Sequence, residues 1–392
     1  MLATFCFMSS NMLANPIVAG YAESLGADGM LMGAVAGSMS FISLFCRPIA
    51  GNLSDKTSKR TLVAVGTVLY FAAGLLYYFA NSPIMLIMAR VINGVGFACC
   101  SVCLATWMSL LLPIRHMGAG MGVYGTMNAL AMAVGPALGI RAQKYIGYRL
   151  TFLSSLVLAV IMLLATLMVK NGGQPVRKKQ TSITENPSIA VDIDGSASAT
   201  KKHRFSIRSI LEPRVVPLSL TFMMFAIAYF ANQSFIVSYV QSRHLPVSSD
   251  LFFMFYAVAL LVLRLGLRDL FDSKGFRFWL TVCSLGMLAM LACMTFLFND
   301  WMLLLAAIFT AVGYGLMSSV TQAQAVVIAG RERSGIANST YYAGIDLGMS
   351  VGPFVGGLVY GHLPAVWFYP VFMLAMPVAW LIYLLCVKRV SR

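Results

Sequence analysis

RPIAGNLSDKTSKR, residues 47–60, is where this chain first gathers charge. The residues before it carry two acids, Glu23 and Asp28, and no basic side chain. The stretch itself holds Arg47, Asp55, Lys56, Lys59 and Arg60 between two apolar runs. A short basic turn between such runs reads as a loop joining two membrane helices on the cytoplasmic side, where Lys and Arg are retained.

Composition supports that reading along the whole chain. Of 392 residues, 59% are hydrophobic and 10% charged, against roughly 25% charged in soluble domains. Apolar runs of the length that spans a bilayer as helix, about 20 residues, recur throughout, and the short alternating segments of a barrel do not. The net charge of +15 raises nucleic acid as a partner. The basic residues sit in short loops and one linker instead, so no nucleic acid is expected. The eight Cys lie in or at the ends of apolar segments, so disulfides are not expected. The "ACCSVC" stretch at 98–103 has no His or acid in its run to complete a metal site. No metal or cofactor is expected. A basic segment ahead of the first apolar run is missing, which argues against a cleaved signal peptide. That run starts almost at Met1, which leaves room for a few further native residues ahead of it.

Twelve spans are expected, at 1–22, 29–53, 61–80, 83–109, 117–140, 150–169, 214–241, 251–267, 278–298, 301–327, 336–360 and 366–387. With both termini in the cytoplasm, the cytoplasmic segments outnumber the outer loops in Lys and Arg by about five to one. The outer loops then hold only Arg141, Lys144, Arg149 and Arg243. The one long polar stretch, Lys170 to Arg214, is rich in Gly, Ser, Thr, Lys and Pro and reads as a flexible linker, with a short interfacial helix near "FSIRSILEP".

The linker divides two halves that match at a constant offset of 217 residues. Asn15 pairs with Asn232, Arg47 with Arg264, Asp55 with Asp272, Arg60 with Arg277 and Tyr124 with Tyr341. Gly135-Pro136 and Gly139 pair with Gly352-Pro353 and Gly356. Parallel repeats of this kind are a transporter architecture, with the binding site near midplane between the halves.

In residues 47–60, Gly51 would let helices approach closely, and Asp55 could pair with an Arg or cap the next helix. Ordinary positive-inside charge is the alternative. The segment resembles the loop signature of the major facilitator superfamily, Gly-x-Leu-x-Asp-Arg-x-Gly-Arg-Arg, with Gly51, Leu53, Asp55, Lys59 and Arg60 in place and Lys56 and Ser58 substituted. Arg47 matches the Arg-Pro lead-in. "ARVINGVGFA" resembles the family's helix 4 motif through Arg90, Gly94 and Gly96. "AVGPALGI" is similar to the helix 5 motif of the drug–proton antiporter branch, through Gly135, Pro136 and Gly139, and Gly352, Pro353 and Gly356 repeat it in helix 11. The resemblance covers everything but the linker. It implies a conformational latch at Arg47, Gly51, Asp55, Arg60, Arg264 and Asp272. It also implies a leak-limiting kink at the Gly-Pro pairs, for which plain helix packing is the alternative.

Charges inside spans point to function. Arg90 lies about seven residues into the fourth span. It either snorkels to the outer surface or, as the resemblance implies, serves proton coupling or contacts helix 1. Arg47 and Arg264 lie near cytoplasmic ends, where snorkelling or latch pairing is expected. Asp346 is the one acid deep in any span, ~15 Å from Ile336 at 1.5 Å per residue. A lone carboxyl there can carry a proton or meet a cationic group; a structural hydrogen bond to a neighbouring helix is the alternative. No deep acid stands in the first half, which departs from many drug exporters. Asn11, Asn15, Asn128, Asn232, Gln233, Asn338, Tyr341 and Tyr342 either line a cavity or join helices.

The expected fold is therefore all-α integral membrane, with twelve transmembrane helices in two pseudo-symmetric six-helix bundles, 1–169 and 214–392, joined by a cytoplasmic linker at 170–213. The expected function is proton-coupled efflux of an amphipathic drug-like compound or metabolite by a monomer in a bacterial inner membrane. Its partners would be that small molecule, protons and the lipid bilayer. Proton-coupled import of a sugar or organic acid is the rival. A membrane-embedded enzyme has little support, because all four His lie in loops and His-Glu-x-x-His is missing. No Gly-x-x-x-x-Gly-Lys-Ser/Thr loop supports a nucleotide-driven pump. A non-transporting sensor stays open.

Overall fold

A computed structural model describes residues 1–112, 117–169, 173, 211–267, 270, 274–330 and 334–390. Every regular element among them is helical. Helix α1 (Leu2–Ser24) turns through Gly26, at φ 86°, into α2 (Gly29–Lys56). Asp28 caps α2, its Oδ1 accepting from the Leu31 N–H at 2.8 Å. Helix α3 (Lys59–Phe79) is followed by α4 (Pro83–Leu111), where Pro83 takes the first turn and needs no N–H partner.

Helix α5 (Met117–Leu167) is broken at Gly147, whose φ of 76° only glycine adopts freely. Gly139 lies against Leu13, Tyr148 against Gly20, and Ser155 accepts from Ser10 through its carbonyl. The chain therefore climbs along α1 to Gly147 and returns beside it. Two passes were expected here, with a loop at 141–149. The helix instead runs on to the glycine, so Arg141 and Lys144 are helical and exposed.

The described chain continues with α6 (Val216–Ser242), α7 (Ser249–Gly266) and α8 (Phe276–Thr295). Helix α9 (Asp300–Thr310) continues through a π-helical turn, Ala311–Leu316, into α10 (Met317–Ala329). Helix α11 is Ser334–His362. The last expected span is split into α12 (Phe368–Met373) and α13 (Ala375–Val390), because Pro377 has no N–H to offer the Met373 carbonyl. Most expected spans are met within a few residues; the π turn and this break had no reading in the sequence. The expected linker and its interfacial helix fall almost wholly outside the described residues.

Among the described residues, 10 helices are long and apolar enough to cross a membrane. Their flanks stay apolar and open, as at Phe45, Ile49, Val68 and Leu285. In water such flanks would be driven together; in lipid they need no cover. Helix contacts then depend on small residues and internal hydrogen bonds.

Small residues close one end of the molecule. Call the end carrying Met1 and Lys56 the near face, and the end carrying Gly29 and His362 the far face. Helix α2 from the first half lies on α11 from the second. A Cβ on Gly33 would sit 2.5 Å from the Pro353 carbonyl oxygen, and one on Gly37 would sit 2.5 Å from that of Ser350. Gly29 meets Gly361, and Gly357 meets Gly29 and Gly33. At the rim, Glu23 accepts from the Tyr360 hydroxyl at 3.2 Å. Among the described residues, every glycine contact between the halves lies toward the far face.

A Gly33→Leu substitution places its side chain against backbone that cannot give way, so α2 and α11 must part. Spin labels at positions 30 and 363 should report a longer distance in the variant. Unchanged distance with an unchanged melting temperature would mean that the contact is not tight.

Candidate functional site

The only salt bridge among the described residues joins the two halves. Arg47 of α2 presents its Nε to Asp346 Oδ2 at 2.5 Å, and its Nη2 donates to Oδ1 at 3.0 Å. Asp346 is 1% exposed, and lies ~18 Å along α11 from its near-face end by helical rise. Arg47 stands nearer that face and reaches up to it. Its guanidinium carbon lies 5.5 Å from the Phe97 ring and 6.0 Å from the Tyr342 ring. Tyr124 and Asn128 of α5 border the same place, with the Tyr124 hydroxyl near Arg47.

This geometry corrects two expectations. Asp346 is not alone, and Arg47 is not at a loop latch; each is the other's partner, 299 residues apart in sequence. The alternative reading of Asp346, a bond to a neighbouring helix, is realised here as an ion pair. Chemically, the pair can change only by exchange. Taking one charge away strands the other in a low dielectric, which costs several kcal/mol. A proton on the carboxylate, or an anion on the guanidinium, are the replacements that avoid this cost.

Arg90 is the second internal charge, 2% exposed. Both Nη atoms donate to Asn15 Oδ1, at 3.1 and 3.2 Å. Nη2 also donates to the Ala36 carbonyl at 2.6 Å, and Nε to the Val35 carbonyl at 3.2 Å. It does not snorkel. Gly94, one turn on, lies against the Met39 carbonyl and lets α4 come close enough to α2 for these bonds. Arg90 thus ties α1, α2 and α4 together through neutral oxygens.

The polar residues expected at a shared cavity divide. Asn15 belongs to Arg90, and its counterpart Asn232 accepts from the Tyr369 hydroxyl at 2.9 Å. Tyr341 bonds Ser318, at 2.7 Å between hydroxyls. Gln322 donates to Asn338 at 3.3 Å and to the Tyr342 hydroxyl at 3.5 Å. Gln233 Nε2 approaches the Met12 sulfur at 4.0 Å across the halves. Asn11 is fully buried, with neither amide atom bonded among the described residues. Asn128 and Tyr342 therefore border the ion pair, Asn338 is joined to Tyr342 only through Gln322, and Asn15, Asn232 and Tyr341 join helices. Gln322 and Ser318 carry no reading in the sequence beyond being polar residues inside the tenth span, and Tyr124 enters there only as the repeat partner of Tyr341.

The expected latch falls partly outside the described residues. Among the described residues nothing lies within 4 Å of a Cβ placed on Gly51, so no described helix packs against it there. Arg60 donates to the Leu167 carbonyl at 3.4 Å and to that of Val169, which holds the α3 start to the end of α5. Arg264 has no acid partner among the described residues. The Asp55 side chain and all of Asp272 lie outside those residues. The Gly-Pro motifs act as packing surfaces. Gly135 and Gly139 meet Ser9, Met12 and Leu13 of α1, while Gly352 and Gly356 meet Ile227, Ala231 and Phe235 of α6. Pro353 offers its carbonyl to Gly33 across the halves.

Against known proteins, the sequence matches the Major Facilitator Superfamily over residues 1–300 and 275–392. It is 22% identical over 371 residues to an uncharacterised MFS-type transporter of Methanocaldococcus jannaschii, covering 92% of this chain and 89% of that one. It is 32% identical over 169 residues to an SPX domain-containing membrane protein of Arabidopsis thaliana, covering 42% of this chain but only 24% of the plant protein. The fold is similar to a POT family transporter in complex with a thioalcohol-conjugated peptide, at TM-score 0.74 and 12% identity, covering 100% of this chain and 96% of that one. It is also similar to a nucleoside transporter, NupG, at TM-score 0.71 and 13% identity, with 98% of each chain covered.

Removing either member of the ion pair should destabilise the protein by about 3 kcal/mol, since a charge is left buried. Arg47→Gln and Asp346→Asn together should cost less than the sum of the two. A double-mutant cycle of thermal or denaturant unfolding measures this coupling; strict additivity would show that the contact carries no energy.

Proposed function

Because the chain belongs to the major facilitator superfamily and is a multi-pass membrane transporter of that type, we propose that it exports an amphipathic compound or metabolite in exchange for protons. The observation that carries this reading is the ion pair between halves, Arg47 to Asp346, lying beneath the glycine seal of the far face. In this reading there are twelve transmembrane helices, with Gly147 turning the fifth into the sixth. Residues 1–169 and 214–392 form the two bundles, and 170–213 link them. The near face is cytoplasmic by its Lys and Arg content, and both termini lie there. The closed far face then makes this the inward-facing state.

Alternating access requires that what binds centrally shift the balance between the two states. The sealed far face must open, and α2 must leave α11. The ion pair opposes that separation while Asp346 is charged. A proton on Asp346 removes its charge and lets Arg47 turn to another acceptor, so separation costs less. Export follows if proton and substrate compete for the site, because each then occupies it on opposite strokes. Arg90 holds α1, α2 and α4 as one body during the movement. The fold's glycine motifs keep α5 on α1 and α11 on α6, so the halves move as units. The reading invokes no cofactor, metal or chemical reaction. Within the superfamily, the drug–proton antiporter branch rests on the Gly-Pro motifs alone. Proton-coupled import would use the same pair with proton and substrate binding together.

A strain without its own exporters, screened against a compound panel with and without a protonophore, should show protection that the protonophore abolishes. With a compound so found, Asp346→Asn should lose gradient-driven movement in vesicles yet keep exchange without a gradient. Full gradient-driven transport by that variant would remove Asp346 from coupling, and uptake into energised cells would reverse the direction.

A further inference from the structure

Charge around the central pair is unbalanced. Away from their first and last turns, α2, α4, α7 and α11 hold two arginines, Arg47 and Arg90, and one acid, Asp346; Arg264 adds a third arginine in the last turn of α7, whose first turn carries Asp250. Arg47 is neutralised by Asp346, and Arg90 is occupied by neutral oxygens. Arg264 stands near the end of α7 but turns inward. It is half-buried, and its charge acts on the buried hydroxyls of Tyr256 and Tyr341. Its Nε is buried and has no hydrogen-bond acceptor among the described residues. A buried donor left unmet is costly, and more so when it belongs to a charged group.

The repeat explains what is missing. Arg264 is the counterpart of Arg47, and Tyr341 that of Tyr124. The counterpart of Asp346, 217 residues earlier, is Ala129. One half of the duplicated site therefore supplies a carboxylate to its arginine, and the other supplies none. Aromatic rings run from Arg47 to Tyr341, the tyrosine on which the Arg264 charge acts. Tyr341 stacks on Phe222 at 5.4 Å between centroids, and Tyr314 stacks on Phe222 at 5.5 Å. Tyr341 meets Tyr342 edge-on at 5.2 Å, and the Tyr342 ring, 37% exposed, lies beside Arg47. Tyr314 comes from the π-helical turn, a deformation frequent at functional sites. A cationic ligand would meet no open acid here, since both oxygens of Asp346 face Arg47.

From this asymmetry we infer that the substrate is an amphipathic organic anion, in class an aromatic monocarboxylate, whose carboxylate occupies Arg264 while its ring lies against Tyr342. The substrate completes on the α7 side the charge pairing that Asp346 completes on the α2 side. Planar carboxylate suits the guanidinium fork, which donates two parallel hydrogen bonds. This inference rests on the transporter reading and names its cargo.

The test is thermal unfolding of the full chain in lipid nanodiscs with matched probes at equal ionic strength, 1-naphthoate and benzoate against 1-naphthylmethylamine and benzylamine. Ligand binding to the folded state raises the midpoint by mass action. The carboxylates should raise it and the amines should not. Arg264→Gln should weaken carboxylate binding about tenfold or more, and Arg264→Lys, which keeps the charge, should retain part of it. Should Arg264→Gln fail to fold, the carboxylate–amine comparison on the unaltered chain decides with Arg264→Lys. Amines binding as well as carboxylates, no carboxylate binding, or carboxylate binding untouched in Arg264→Gln would each overturn the inference. None of these results touches the transporter reading, which fails separately if no compound in the export screen gives protonophore-sensitive protection.

Discussion

Arg47 and Asp346 hold each other across the middle of the molecule, and the logic of the site follows from where they meet. In water an ion pair of this kind is worth little, because each partner keeps its hydration. Between helices in lipid, neither charge has another partner of comparable strength. The two helices that carry them, α2 and α11, are also the helices pressed together at the far face. The same pair of helices therefore carries both the buried ion pair and the closest backbone contact between the halves.

The far-face seal is the mechanical side of the same device. Lipid tails are as apolar as leucine, so burial of apolar surface gives the halves no reason to stay together. Backbone-to-backbone approach does, and it needs residues without side chains. Gly29, Gly33 and Gly37 face Gly361, Gly357 and the 350–353 backbone along one line. Below that line the ion pair takes over from the glycines. A seam built of small residues can open and reclose without repacking large side chains. Within each half, by contrast, interlocked contacts such as Arg90 with Asn15, Val35 and Ala36 resist change.

Much of the fold was legible. Apolar runs of spanning length located nearly every helix among the described residues. Helix ends were less so. Gly147 and Pro377 mark real breaks, but sequence alone does not say whether a glycine or proline inside an apolar run turns the chain or is tolerated. The site was legible in its ingredients and not in its arrangement. A contact of Arg90 with helix 1 and a joining role for Asn15 are both among the readings the sequence supports, and what it does not say is that the two residues are each other's partner. Gly51 reads as a close approach because small residues let membrane helices meet, and among the described residues nothing lies within 4 Å of a Cβ placed there.

Residue type and order were enough to establish a membrane-embedded helical chain and the few charges it tolerates in lipid, because these follow from the cost of exposing polar groups to hydrocarbon. Pairing was a different matter. Asp346 could have served as a lone acid, a bond to any neighbour, or half of an ion pair, and its partner lay 299 residues away in the other half of the chain. That choice depends on which helix faces are brought together and how closely. The glycine seam between α2 and α11 decides it, and it exists only once the chain is folded.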